Sequence, residues 1–259
     1  MFRMLAIVWL SAMAIYAQYF RDKQPACTKP VETWSYTYYA VGFSNDTHTP
    51  LWSAMETKKV INPNTGCPRI SNFASDSREN PKITHNDYSN TGYSRGHMTP
   101  NAIVAYAFGC DANKTTFMTS NIVPQLQDHN GGVWEALESV VGGVNGSGGF
   151  KQGLVNRVPE AWIYTGPVFW GSNIEKTGPK GIWVPTAIWK TVIWKTIDGK
   201  TKTCSWMIPH EAGIPKNSYM DYTVSIKDIA AKTGVNILGS TADPLYSEID
   251  IQDFLETID

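Results

Sequence analysis

Long apolar runs, net charge and closely spaced cysteine pairs are what this 259-residue chain has least of. One apolar run stands out, residues 4–16, which follows Arg3 and ends among the small residues Ala12, Ala14 and Ala17. About a dozen apolar residues are too few to span a bilayer, which takes about 20. A positive residue, a short apolar stretch and an Ala-x-Ala-like end instead match a secretory leader. No later run approaches that length, so the expectation is a signal peptide over 1–17 and a single domain over 18–259, secreted and without a membrane anchor after processing. The formal net charge is −1, and about −2 once Arg3 leaves with the leader. Charge therefore does not advertise a polyanionic partner, and only a local basic patch could answer that deficit. None of the four cysteines forms Cys-x-x-Cys, which disfavours a structural zinc site. Cys27, Cys67, Cys110 and Cys204 are an even number in a chain that reads as exported, so disulfides are expected, with all three connectivities open. Repeats and low-complexity tracts are absent too. At 42% hydrophobic and 17% charged residues, the composition is that of a packed globular chain and excludes disorder.

Strand-like segments are present at 34–43, 51–61, 115–123, 161–165, 181–194 (interrupted by Pro185) and 202–208, rich in aromatic and β-branched residues. Helical spacing marks 102–108, 132–141 and 225–232, the last closed by Gly234. Residues 69–93 read as a long ordered loop that carries function, and 142–149, with five glycines, as a flexible one. Strands and helices do not alternate strictly. The fold class is therefore α+β, with a mainly antiparallel central sheet flanked by helices.

Potential chemistry concentrates in two clusters. In the first, Tyr93-Ser-Arg-Gly-His-Met-Thr-Pro-Asn101, an extended backbone would place Arg95 and His97 on one face, a phosphate-binding cation beside a base. Gly96 between them permits a close approach. The second runs from Thr119-Ser-Asn-Ile-Val-Pro-Gln125 to Asp128-His-Asn-Gly-Gly-Val-Trp-Glu-Ala-Leu-Glu138. Asn130, ahead of the helix, can offer an amide oxygen to a hard cation, and magnesium needs only one or two such oxygens. Glu138 lies about 12 Å further along an ideal helix, too far to share the ion directly, but placed to hydrogen-bond its water. The plainer reading makes Asn130 a helix N-cap and Glu138 a solvated residue.

Together these clusters resemble the DNA/RNA non-specific endonuclease family of the ββα-metal group. Ser94-Arg95-Gly96-His97 is similar to its Asp-Arg-Gly-His motif, Ser120 to Gln125 to its Ser-Asn-x-x-Pro-Gln segment, and Asn130, Trp134, Leu137 and Glu138 to its metal-site helix. Tyr164-Thr-Gly-Pro-Val168, Val184-Pro-Thr-Ala-Ile-Trp-Lys190 and 222–234 extend the likeness over residues 34–240. The resemblance implies a ββα-metal finger and a metal-dependent nuclease acting on DNA, RNA or both, leaving 5′-phosphates. It implies Mg²⁺, with Mn²⁺ as a substitute, held directly by Asn130 and through water by Glu138. His97 is then the general base, while Arg95 and Asn121 hold phosphate or support the base. Arg69 aligns loosely with a further substrate-binding arginine. Some relatives are dimers, so a homodimer is compatible.

Two departures stand out. Ser94 replaces the usual Asp, implying weaker activity or a shifted pH optimum, or in the rival reading a nucleic-acid-binding relative without catalysis. Gly142 stands where an Arg is common, leaving Lys114 or Lys151 to supply that contact. A lectin-like module, suggested by the many aromatics, and a zinc hydrolase are the other rivals. For the latter, His85, His97, His129 and His210 lack close spacing in sequence.

Overall fold

The computed structural model describes residues 20, 21, 23–61, 66–68, 70–143 and 152–258. The leader expected over 1–17, Arg69, Lys151 and most of the glycine-rich loop lie outside them. No helix among the described residues is long and apolar enough to cross a membrane.

Nine strands carry the argument: β1 Glu32–Ser35, β2 Ala40–Ser44, β3 Thr49–Lys58, β4 Ser94–His97, β5 Ile122–Gln125, β6 Glu160–Val168, β7 Ala187–Lys195, β8 Thr201–Pro209 and β9 Thr223–Val224. Seven of them form one sheet in the order β9-β8-β7-β6-β3-β2-β1, antiparallel at every junction. β4 and β5 pair separately, Ser94 opposite Gln125 and His97 opposite Ile122. The chain then enters a helical run over 127–142.

Both faces of the large sheet are buried, because alternate residues of its inner strands are apolar on either side. On one face Val41, Met55, Ile163, Ile188, Val192 and Trp194 pack with Val123 of the β4–β5 pair and with Val133, Trp134 and Leu137 of the 127–142 run. On the other, Trp52, Tyr164, Trp189 and Ile193 meet Ile226 and Ile229 of the helix Ile226–Thr233. That helix is capped as its sequence suggests. The Ser225 side chain accepts from the Asp228 N–H, and Gly234 closes the helix at φ 75°. The chain's closing helix, Ile251–Ile258, drives Phe254 against Trp194 and Trp206.

Three expectations need correction. Residues 34–43 are not one strand but a hairpin, turned where the Tyr36 N–H donates to the Tyr39 carbonyl and the two rings stack. Residues 115–123 are mostly not strand. A helix ends at Thr115, a 3-10 turn occupies Thr119–Asn121, and β5 begins only at Ile122. Side chains of Thr116, Thr119 and Asn121 bond backbone groups there, competing with a ladder. Of the cysteines, only Cys67 and Cys110 are joined, while Cys27 and buried Cys204 are free thiols.

The Cys67–Cys110 bond spans 43 positions, and a closure of that size stabilises by about 4 kcal/mol through the unfolded chain. Reduction with dithiothreitol is expected to lower the urea midpoint accordingly, whereas Cys27→Ser leaves it unchanged.

Candidate active site

β4 carries Arg95 and His97 on one face, as an extended strand requires. Phe73 lies between them, 5.4 Å from the His97 ring and 5.8 Å from the Arg95 guanidinium. Gly96 points the other way, and a Cβ there would stand 2.0 Å from Gln125 Oε1, so only glycine fits against that amide. Phe117 packs edge-on to His97 at 4.7 Å, completing an aromatic slot. Within it Nε2 is shut off from solvent without a partner. Burial pushes the imidazole down to about 4, so the ring is neutral near pH 7.

Arg95 donates to the His85 carbonyl (2.8 Å) and the Ser89 hydroxyl (3.3 Å), and its Nε has no partner. Among the described residues no carboxylate pairs with it. A fixed, uncompensated guanidinium beside a neutral imidazole suits an anion such as phosphate.

Asn121 serves a different end from Arg95. It has no exposed surface. Its Oδ1 accepts from the Thr99 N–H at 2.8 Å, and its Nδ2 donates to the Thr99 and Thr116 carbonyls. Its amide therefore supports the backbone just after His97. Its neighbours pin the long loop over 69–93: Thr119 donates to Glu79, and Ser120 to Asp76, which also receives Arg78 and Tyr36. The Arg78 guanidinium and the Tyr36 hydroxyl hold the Asp76 carboxyl at about 2 against its burial, whereas burial lifts Glu79 to about 7.

Asn130 closes the short helix Gln127–His129 and stands ahead of the helix Glu135–Gly142, whose N-terminus it does not cap. Its own backbone is helical at φ −62°, ψ −50°, and the chain kinks just beyond it at Gly132, whose φ −106°, ψ −114° lie outside the helical range. The Gly131-Gly132 pair permits that kink. The amide of Asn130 is oriented by Ser94. The Ser94 hydroxyl donates to the Gln125 carbonyl across the β4–β5 pair (2.7 Å), which leaves its lone pairs to accept from Asn130 Nδ2 at 3.3 Å. With the amino group directed to Ser94, Oδ1 is the end left for a cation.

Glu138 is held by a residue that sequence reasoning passed over except as part of a motif. Lys190, fully buried on β7, places Nζ 3.5 Å from Glu138 Oε1, 2.9 Å from the Thr165 hydroxyl and 4.8 Å from the Trp134 ring centre. Desolvation pushes the Glu138 carboxyl up and the Lys190 ammonium down, and each draws the other back towards its charged form. The alternation in Ile188, Lys190, Val192 and Trp194 was the available signal. It puts a lysine on an apolar face, which calls for a counter-charge. Phe73 and Phe117, distant from His97 in sequence, left no such signal.

Lys114 is ion-paired with Asp111 at 2.7 Å. The histidines that looked scattered do meet in part, His129 and His210 with ring centres 5.3 Å apart. Their contacts are structural. His210 faces the Pro185 carbonyl and accepts from the Leu126 N–H, and His129 receives Gln125. Among the described residues no three His, Cys, Asp or Glu side chains gather as a metal cage.

A family model described as DNA/RNA non-specific endonuclease matches residues 23–243. A nuclease of Nostoc sp. is 25% identical over 223 residues, 82% of this chain and 75% of that protein. The human mitochondrial nuclease EXOG is 24% identical over 214 residues, 77% of this chain but 55% of its own length. The chain thus spans about half the length of the latter. The crystal structure of an EndoG/EndoGI complex contains a chain that superposes with a TM-score of 0.69 at 18% identity, covering 88% of this chain and 92% of that one. That likeness is one of fold.

Two expectations follow. Ser94→Ala frees the Asn130 amide to rotate, so Mn²⁺ affinity measured by calorimetry should fall about tenfold or more with little change in melting temperature, whereas Ser94→Asp retains binding. His97 and His129, both held near 4 in the fold against 6.5 when exposed, leave the unfolded chain binding more protons between those values. Stability is therefore lost as pH falls from 6.5 towards 4. Glu79, raised from 4.5 to about 7, opposes this with one proton against two. Melting temperatures across that window should decline on acidification, and less so in His129→Gln.

Proposed function

Because the chain belongs to the DNA/RNA non-specific endonuclease family, we propose that it is a secreted, Mg²⁺-dependent nuclease that hydrolyses phosphodiester bonds in DNA, RNA or both, with His97 as its general base. The observation that carries this reading is the neutral His97 beside the unpaired Arg95 guanidinium, on a strand whose Ser94 orients Asn130. Export is supported by the leader-like N-terminus and by the Cys67–Cys110 disulfide, a bond that persists in oxidising compartments.

In this reading His97 takes the proton of a water attacking phosphorus. Nε2 is closed off, so the proton passes through Nδ1. Phe73 and Phe117 hold the ring against rotation. Arg95 binds a non-bridging phosphate oxygen and neutralises charge as the bond order changes. The residues fit a hard divalent cation: Asn130 presents Oδ1, and the partly exposed Glu138 carboxylate faces Lys190 through Oε1. An ion that keeps most of its own water suits so small a set of oxygens. Such a cation, when bound, stabilises negative charge on the phosphate and on the departing 3′ oxygen. Glu138 would accept hydrogen bonds from its hydration water, with Lys190 keeping the carboxylate in place. Phosphate contacts carry no sequence information, which accords with cleavage at many sites, and departure of the 3′ oxygen leaves 5′-phosphate ends.

The rival, a binding protein weakened by loss of the motif's Asp, is opposed by the contact Ser94 makes with Asn130. Digestion of plasmid and RNA by the mature protein, with Mg²⁺ or EDTA, decides between them. The expected result is degradation that requires the metal and falls about 10³-fold in His97→Ala. Intact substrate after incubation with folded wild type across the range of about pH 5 to 9, the span over which an imidazole base should act, would sink the catalytic reading.

A further inference from the structure

A basic patch was the one feature that the overall charge left wanting, and the fold assembles one away from His97. Among the described residues Trp170 is the one tryptophan that is exposed, at 58%. Its backbone is anchored: the main-chain N–H donates to the Thr186 hydroxyl at 3.0 Å, and Gly171 turns the chain away at φ +112°. Lys232, from the helix Ile226–Thr233, stands 3.7 Å from the centre of its ring. The neighbouring Phe169 packs edge-on to Trp183 at 5.4 Å. Lys29 lies 6.0 Å from the Phe169 ring and Lys176 5.4 Å from the Trp183 ring. Each of these three rings therefore has a lysine ammonium within 6.0 Å of its centre.

The three lysines differ from most others on the surface. Lys58, Lys114, Lys180, Lys195, Lys200, Lys202 and Lys216 are each paired with a carboxylate. Lys29, Lys176 and Lys232 are not, among the described residues. The patch also abuts the candidate active site. The hydroxyl of Tyr93, next to Ser94, donates to Glu175 Oε1 at 2.7 Å, and the Glu175 carbonyl accepts from the Val184 N–H, one residue past Trp183.

We propose that this surface is a second nucleic-acid-binding site, one that takes a single-stranded stretch of polynucleotide outside the cleavage site. Trp170 stacks on an unpaired base, while Lys29, Lys176 and Lys232 meet successive phosphates. A duplex keeps its base faces covered, so an exposed indole has a stacking partner only in a single strand. The identity of the ligand rests on the nuclease reading. The site itself rests on the uncompensated lysines and the exposed ring.

The test uses the full mature chain carrying His97→Ala, with anisotropy of labelled oligothymidylates of about 30 and about 4 nucleotides, the longer exceeding and the shorter matching the smallest footprints of single-strand sites. Trp170→Ala is expected to weaken binding of the long strand about tenfold and to leave the short one within about twofold. Changing the three lysines together to Gln should flatten the dependence of log affinity on log salt by about 2 units. In the His97 background the substitutions raise KM for long single strands without altering kcat. Unchanged affinity and salt slope for the long strand would overturn the proposal. So would equal losses for both lengths, or a change in sedimentation that reveals a second copy of the chain seated on the patch. If the wild type fails to cleave while long-strand binding still depends on Trp170, the nuclease reading falls and this site stands.

Discussion

A lysine ammonium with no exposed surface must be compensated where it lies, and much of the site's geometry follows from how Lys190 is satisfied. Removing an ammonium from water costs several kcal/mol even after relaxation. The Glu138 carboxylate, the Thr165 hydroxyl and the face of Trp134 share that burden. Two of these three lie on the helical run, so the run cannot slide or rotate on the sheet without stranding the charge. The apolar contacts of Val133, Leu137 and Val141 give the helix its affinity for the sheet. The buried pair gives it its register.

The other half of the site is fixed through hydrogen bonds to backbone. Thr119, Ser120 and Asn121 act as three successive clamps, to Glu79, to Asp76 and to the backbone at Thr99. They hold the long polar loop against the strand that carries His97, and so bring Phe73 to the imidazole. A short segment with weak propensity for any element thus joins a loop to a strand. Its side chains are spent on structure. This is why Asn121, a plausible phosphate ligand by position, has its amide committed to the fold.

Ser94 shows how a hydroxyl can stand in for a carboxylate. A carboxylate would accept from the Asn130 amide with full charge. The serine does so as a neutral acceptor, its own proton committed to the Gln125 carbonyl. The orientation of the amide survives while the electrostatic contribution shrinks, which agrees with a site that is intact in shape and weaker in charge.

Local chemistry was enough to determine the sheet strands from residue 160 to 209, the capped helix ending at Gly234, and the alternation that sends Arg95 and His97 to one face. Each of these depends on neighbours a few positions away, through pleat, turn or cap. The motif residues Asn130 and Glu138 were legible as candidates for the same reason. What the sequence left open depends on contacts between distant segments: the split of 34–43 into a hairpin, the conversion of 115–123 from strand to turn, the choice of Cys67 and Cys110, and the burial of His97 between Phe73 and Phe117. The kink at Gly132 that parts Asn130 from the helix Glu135–Gly142 belongs with these. Periodicity reports which side of an element is apolar. Only the folded chain decides what that side meets, and it is the meeting of Lys190 with Glu138, and of Ser94 with Asn130, that shapes the candidate site.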